Sequence, residues 1–137
     1  MMNFIQLERH YQLLLIIDQY QRLLTRYETG LNSSRLDGLP HSNGYHIDKI
    51  GDIVIRREKI MQKLPLLLAL AEKEAPQVEE TIKAAAGQGK GAIRVELIMR
   101  SRYLNGRDWP ELCDLFHEES TKRIKNLIMK RLEKLEE

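Results

Sequence analysis

The helical spacing of apolar residues over the first half of the chain is the feature that most constrains its fold. Residues 3–27 contain no glycine or proline, and apolar side chains recur there at intervals of three, four or their sums, with charged residues between them. These side chains are Phe4, Leu7, Tyr11, Leu14, Ile17, Leu24 and Tyr27. The same spacing returns between Ile47 and Ala71. The pattern predicts two long amphipathic helices and an all-α protein.

The predicted ends of these helices follow from residues that disfavour helix. The first helix is expected to end near Gly30, and residues 32–44, which are rich in Gly, Pro, Asn and Ser, read as a loop. Asp48 can cap the second helix or act as an acid in its first turn. Pro65 is expected to kink or interrupt this helix, and Pro76 to begin a further helical segment.

Two long helices joined by a loop pack most simply as an antiparallel, coiled-coil-like hairpin, which we place at residues 1–86. Such a hairpin has two exposed apolar edges, so we expect it to self-associate into a homo-oligomer or to bind a partner. The alternative is that the C-terminal third of the same chain covers the apolar stripe.

Three short helices are predicted after a glycine-rich boundary, GQGKG at residues 87–91, where we expect a hinge or a helix stop. They cover residues 92–104, 108–116 and 120–136. Asp108 and Glu111 have the spacing of a capping box, and Ser120 or Thr121 can cap the last helix. Only His117-Glu118-Glu119 lies between the last two helices, which is the spacing of a helix-turn-helix module at residues 92–137.

Positive charge is concentrated at this end of the chain. The net charge of the protein is +2, but residues 120–134 hold six cations and one acid, a local net charge of +5. A basic stretch of this kind suits an anion-binding surface, although a solvated helix face is the simpler alternative.

The last helix has the two faces that a recognition helix needs. Its apolar residues, Ile124, Leu127, Ile128, Leu132 and Leu135, share one side, which leaves Lys122, Asn126 and Met129 opposite. Cations there can contact phosphates, and an amide such as Asn126 can form paired hydrogen bonds with an adenine edge. The candidate DNA-binding residues are Thr121, Lys122, Arg123, Lys125, Asn126 and Lys130.

The C-terminal segment also resembles a known protein family. Arg102-Tyr103, Gly106, Trp109, Glu111 and Cys113 match a pattern of an Arg-Tyr pair, a glycine turn, a tryptophan, acidic residues and a small residue before the turn. This pattern is similar to that of short phage and prophage proteins of the RinA and ArpU type, which are late-transcription activators. Their helix-turn-helix resembles region four of sigma factors.

The resemblance implies a phage or prophage transcription regulator that binds double-stranded DNA, contacts RNA polymerase and activates late genes. One departure concerns the turn, where family members usually carry a glycine and only two residues before the serine. This chain has His117 and the two acids Glu118 and Glu119, which oppose the approach of phosphate. The alternative function is a non-enzymatic oligomeric adaptor, or a phage assembly or packaging protein, whose basic helix contacts protein.

The remaining candidate sites favour structural roles. We predict that Trp109 and Tyr103 pack in the core, and that the single cysteine, Cys113, allows two helices to approach closely. His41 and His46 lie near acids in the predicted loop, but their spacing is not that of a metal site. We therefore expect no enzyme activity, cofactor or metal.

No apolar run approaches the roughly 20 residues that a membrane-spanning helix needs. The first ten residues also lack the features of a secretory signal. We therefore expect a cytoplasmic protein of the bacterial host cell that does not enter a membrane.

Overall fold

A computed structural model describes residues 1–36 and 45–136, which form five helices and no strand. The helices are α1 (Phe4–Leu36), α2 (Tyr45–Ala86), α3 (Ala92–Tyr103), α4 (Trp109–Phe116) and α5 (Thr121–Glu136). The prediction of an all-α protein is confirmed. None of these helices, within the residues described, is long and apolar enough to cross a membrane.

The ends of the two long helices differ from the predicted ones. The expectation that α1 ends near Gly30 is wrong, since the helix continues to Leu36, and residues 37–44 of the predicted loop lie outside the described residues. Pro65 and Pro76 do not interrupt α2. Both prolines are exposed, so water can hydrate the carbonyl groups that their missing amides leave unpaired. Asp48 was predicted to cap α2 or to act as an acid in its first turn, and its side chain lies outside the described residues.

The three short helices begin and end close to the predicted residues. The glycine-rich segment stops α2, and Gly87 adopts a left-handed conformation with φ of 64° while its amide donates to the carbonyl of Lys83. Gly106 has φ of 72° in the turn between α3 and α4. The helix stop predicted at GQGKG is thus confirmed.

The chain divides into two compact units. The first consists of Met1–Leu15 and Leu70–Glu137, and the second of Ile16–Ala69. The predicted boundary at residues 87–91 lies inside the first unit. A single hairpin over residues 1–86 stays a prediction.

The first unit has an aliphatic core to which all five helices contribute. From α1 only the N-terminal part takes part, and from α2 only the C-terminal part. In this unit α1 and α2 run antiparallel, because Met2 donates its amide to Thr81 Oγ1 at 2.9 Å and His10 Nδ1 lies 2.7 Å from Glu74 Oε2. The buried core residues are Leu7, Tyr11, Val78, Ile82, Ala85, Ala86, Val95, Ile98, Met99, Tyr103, Leu112, Ile124, Ile128 and Leu132. The start of α1 and the end of α2 therefore share one core with α3, α4 and α5.

The second unit has a much smaller core. Its buried apolar side chains, within the described residues, are Ile17, Ile60 and Leu64. Arg57 Nη2 lies 3.4 Å from Glu28 Oε1, an ion pair between a residue of α2 and one of α1.

Candidate nucleic-acid interface

One side of α5 is anchored in the core of the first unit. Ile124, Ile128 and Leu132 are buried, and Leu127 and Leu135 are half-buried against the same core. These are the residues whose spacing predicted the apolar side of the helix, and that prediction is confirmed. The opposite side of α5 is therefore left to face solvent.

The helix before α5 has a well-defined start. Asp108 Oδ1 accepts a hydrogen bond from the amide of Glu111 at 2.8 Å, and Pro110 occupies the first turn. Asp108 is thus the N-cap that the sequence predicted, because its carboxylate satisfies an amide that has no partner within the helix.

A four-residue turn, His117 to Ser120, joins α4 to α5. His117 ends α4 in the left-handed conformation, with φ of 56° and ψ of 41°, and its amide donates to the carbonyl of Cys113. A glycine usually occupies such a position because it has no Cβ to clash. The turn keeps the geometry of a glycine-ended helix although the glycine is absent.

All six predicted DNA-binding residues are exposed on α5. At 100° per residue, Lys122, Arg123, Asn126 and Lys130 fall within about 100° of one another around the helix. We call these four residues the basic face. None of its three cations forms an ion pair with another side chain in the described part of the chain. The basic face therefore presents three unpaired positive charges around the side-chain amide of Asn126.

Two residues assigned to the exposed side lie at its edge. Lys125 Nζ is 5.9 Å from the centre of the Phe4 ring, so its charge borders the start of α1. Met129 is half-buried and lines an open apolar groove together with Phe4 and Ile5. The expectation that Met129 lies on the free polar side is wrong, because the beginning of α1 reaches this flank of α5. Thr121 is exposed because it is the first residue of the helix.

One of the two acids in the turn has a cationic partner. Arg94 Nη2 lies 2.6 Å from Glu118 Oε1 and also donates to the carbonyl of Phe116 at 3.0 Å. The Arg94 guanidinium therefore offsets the charge of Glu118 next to the start of α5. Glu119 is exposed and has no ion pair among the described side chains.

Arg102 is a buried charged residue at the centre of a side-chain cluster in the first unit, and the sequence did not predict this role. Its guanidinium lies 3.8 Å from the centre of the Tyr11 ring and 3.7 Å from that of Trp109. It also pairs with Glu8, at 2.6 Å from Nη2 to Oε2 and 3.3 Å from Nε to Oε1, and donates to the carbonyl of Arg107. This cluster joins α1 to α3 and to the start of α4. The signal available in the sequence was the position of Arg102 among the apolar residues of α3.

Tyr103 and Trp109 pack as the sequence predicted. Tyr103 is buried and donates its hydroxyl to Glu8 Oε1 at 3.3 Å, and Trp109 is half-buried against the core. Burial, and after it the charge of Glu8, raises the pKa of the Tyr103 hydroxyl above its usual range. Cys113 is half-buried against the same core, at the position where close helix packing was predicted.

A metal centre is not formed by the residues that the structure describes, since no group of three or more His, Cys, Asp or Glu side chains converges among them. His41 lies outside the described residues, and so does the side chain of His46.

Comparisons with protein-family models, with curated proteins and with solved structures found no match to this chain.

Proposed function

We propose that this protein is a phage-encoded or prophage-encoded transcription regulator that binds double-stranded DNA. In this proposal α3, α4 and α5 act as a sigma-like helix-turn-helix module, and α5 is the recognition helix in the major groove. The observation that carries the proposal is the basic face of α5, which stays free of ion pairs within the described residues while the opposite side is anchored in the core.

The roles of the residues follow from their chemistry. Lys122, Arg123 and Lys130 contact phosphates, which supplies most of the affinity and makes it depend on salt. Asn126 lies between these cations and can donate to and accept from one adenine edge, which supplies sequence discrimination. Lys125 and Thr121 contribute phosphate contacts from the edge of the helix. The pairing of Glu118 with Arg94 supports the approach of DNA, because it offsets one acid in the turn.

Three further parts of the proposal come from the family resemblance and the predicted hairpin. The regulator would act as an activator of late genes, contact RNA polymerase, and self-associate in the cytoplasm of the bacterial host. The first two depend on the resemblance alone, and self-association depends on the apolar surface of the long helices.

The test is fluorescence anisotropy of labelled duplex fragments of the host phage genome, titrated with the full chain at about 50 and 200 mM salt. With four phosphate contacts, we expect the affinity to fall by about 100-fold over this range. Binding to some fragments should survive competitor DNA. If no fragment binds at the lower salt concentration, the proposal is wrong and the adaptor function takes its place.

Variants of the basic face test the residues themselves. Lys122→Glu combined with Lys130→Glu should abolish DNA binding at both salt concentrations, while circular dichroism shows unchanged helix content. The matched control is Lys63→Glu combined with Lys73→Glu, which reverses two exposed cations on α2. Asn126→Ala should weaken binding to the preferred fragment by about 1–3 kcal/mol and leave binding to competitor DNA unchanged.

A further inference from the structure

An open apolar groove of about 240 Å³ lies between the start of α1 and the C-terminal half of α5. Phe4 and Ile5 form one of its walls, and Met129 and Leu132 form the other. Ile5 is 62% exposed, while Phe4 and Met129 are half-buried. From Met129 to Glu136 the groove follows two turns of α5, or about 10 Å. This length suits two apolar side chains that stand one helical turn apart on a partner.

The rim of the groove at the end of α5 carries two carboxylates. Glu133 and Glu136 both line the groove and are exposed, and neither forms an ion pair with a described residue. They lie in the last turn of α5, where backbone carbonyls without a partner in the helix add partial negative charge. Lys134 shares this turn but falls at least about 100° from both acids around the helix. This end of the groove therefore has an unbalanced negative charge beside an apolar surface.

The other end of the groove has the opposite charge. Lys125 precedes Met129 by one helical turn, and its Nζ lies 5.9 Å from the centre of the Phe4 ring. A cationic group of a partner therefore fits only at the end that Glu133 and Glu136 form. Nucleic acid or an anionic lipid would bring phosphates against these carboxylates, so neither suits the groove.

We propose that this groove binds a short segment of a partner protein that carries apolar side chains next to a lysine or arginine. The apolar side chains lie between Ile5 and Met129, and the cation lies beside Glu133 and Glu136. The apolar contact supplies most of the affinity, and the carboxylates select a basic segment and fix its direction along α5. This inference does not rest on DNA binding by the basic face.

Two labelled peptides of equal length test the preference for a basic segment. Both carry two leucines four residues apart in an alanine background, and one has lysines next to the leucines where the other has glutamates. Fluorescence anisotropy with the full chain at about 50 mM salt should give the basic peptide a Kd at least about tenfold lower than that of the acidic peptide, because attraction to two carboxylates replaces repulsion. The difference should shrink at about 200 mM salt.

Reversing the charges of the rim should reverse this preference. The chain with Glu133→Lys and Glu136→Lys should bind the acidic peptide more tightly than the basic one. The matched control is Glu72→Lys combined with Asp114→Lys, which reverses two exposed acids outside the groove and should keep the preference for the basic peptide. Equal affinity of the natural chain for both peptides, or a reversed rim that still prefers the basic peptide, would overturn the proposal. The absence of binding of the basic peptide at about 1 mM protein would overturn it too.

A variant of the apolar wall tests the groove itself. Ile5→Asn should raise the Kd of the basic peptide by about fivefold or more, because it removes apolar surface from the contact. The matched control is Ile93→Asn, since Ile93 is 74% exposed and is the second residue of α3, as Ile5 is of α1. It should bind the peptide like the natural chain, and circular dichroism checks the helix content of both variants. An Ile5→Asn variant that binds as tightly as the natural chain would contradict the assignment of the groove.

Light scattering distinguishes a partner protein from a second copy of this chain. We expect Ile5→Asn to leave the oligomeric state unchanged. A natural chain that is dimeric and an Ile5→Asn variant that is monomeric would assign the groove to a second copy and overturn the proposal.

Discussion

Arg102 shows how a single charged residue is stabilised inside an aliphatic core. It is 3% exposed, yet its guanidinium has a carboxylate partner, a carbonyl partner and two aromatic rings within contact distance. A buried charge is tolerated when it is paired and its hydrogen-bonding groups are satisfied. The planar guanidinium also suits stacking between two rings, which an ammonium group does not reproduce.

Replacing Arg102 with alanine should strongly destabilise the protein. The substitution leaves Glu8 without its cation in a partly buried position and removes the group between Tyr11 and Trp109, so we expect the free energy of unfolding to fall by about 3–5 kcal/mol. Urea denaturation measures this change. The control is Arg100→Ala, which removes more exposed ion pairs with Glu79 and Glu96 and should cost less than about 1 kcal/mol. Equal losses in the two variants would contradict a special role for Arg102.

Tyr103 should make the protein less stable in alkali. Burial and the neighbouring Glu8 raise the pKa of its hydroxyl in the folded chain, whereas in the unfolded chain the hydroxyl has its ordinary pKa of about 10. Above that pH the unfolded chain releases this proton and the folded chain keeps it. The contribution of Tyr103 to stability is therefore fully present below about pH 10 and is lost above it, by about 1.4 kcal/mol per pH unit.

Urea denaturation at a series of alkaline pH values measures this loss. Tyr103→Phe should remove the part of the slope that belongs to Tyr103 while the remaining tyrosines still titrate. A variant whose stability declines with pH as steeply as that of the natural chain would show that Tyr103 is not the group responsible.

At the scale of secondary-structure elements, local signals located the short helices better than the long ones. The capping carboxylate of Asp108 and the glycines after Ala86 act within one turn of helix, so their effect can be read from the sequence. The prolines in α2 also act locally, but a long helix continues past them because the peptides on both sides are held in helical conformation. Pro65 and Pro76 were therefore misleading as boundaries.

The C-terminal end of α4 offers a test at this scale. His117 holds a left-handed conformation that costs a non-glycine residue about 1 kcal/mol, so His117→Gly should raise the free energy of unfolding by about 0.5–1 kcal/mol. Thermal unfolding would show this as an increase in Tm of a few degrees. His117→Ala keeps a Cβ at the same position and should give no increase. A Tm that falls in His117→Gly would mean that the imidazole side chain stabilises the turn.

At the scale of the whole molecule, the three short helices depend on distant parts of the chain. Leu7 and Tyr11 from α1, and Val78 and Ile82 from α2, belong to the same buried core as Ile124 and the other apolar residues of α5. Without these segments α3, α4 and α5 lose one wall of their core. The surface that presents the basic face is thus held in place by the start of α1 and the end of α2.

A fragment of residues 88–137 should accordingly fail to fold by itself. We expect its circular dichroism to show much less helix per residue than the full chain, and its thermal transition to be broad and non-cooperative. A fragment that unfolds cooperatively near the Tm of the full chain would contradict this prediction. DNA binding should therefore be measured by anisotropy on the full chain, because a fragment that does not bind DNA would report unfolding rather than loss of the basic face.

The sequence by itself determined the helices and the polarity of α5. Helix formation and amphipathic spacing depend on residues three and four apart, so Ile124, Ile128 and Leu132 predicted the buried side and Lys122, Asn126 and Lys130 the exposed one. The tertiary structure alone decided which distant groups meet. Arg102 and Glu8 are 94 residues apart, and Phe4 reaches the flank of α5 next to Met129. Such contacts depend on the shape and charge of surfaces that exist only after the helices have packed, and no local pattern encodes them.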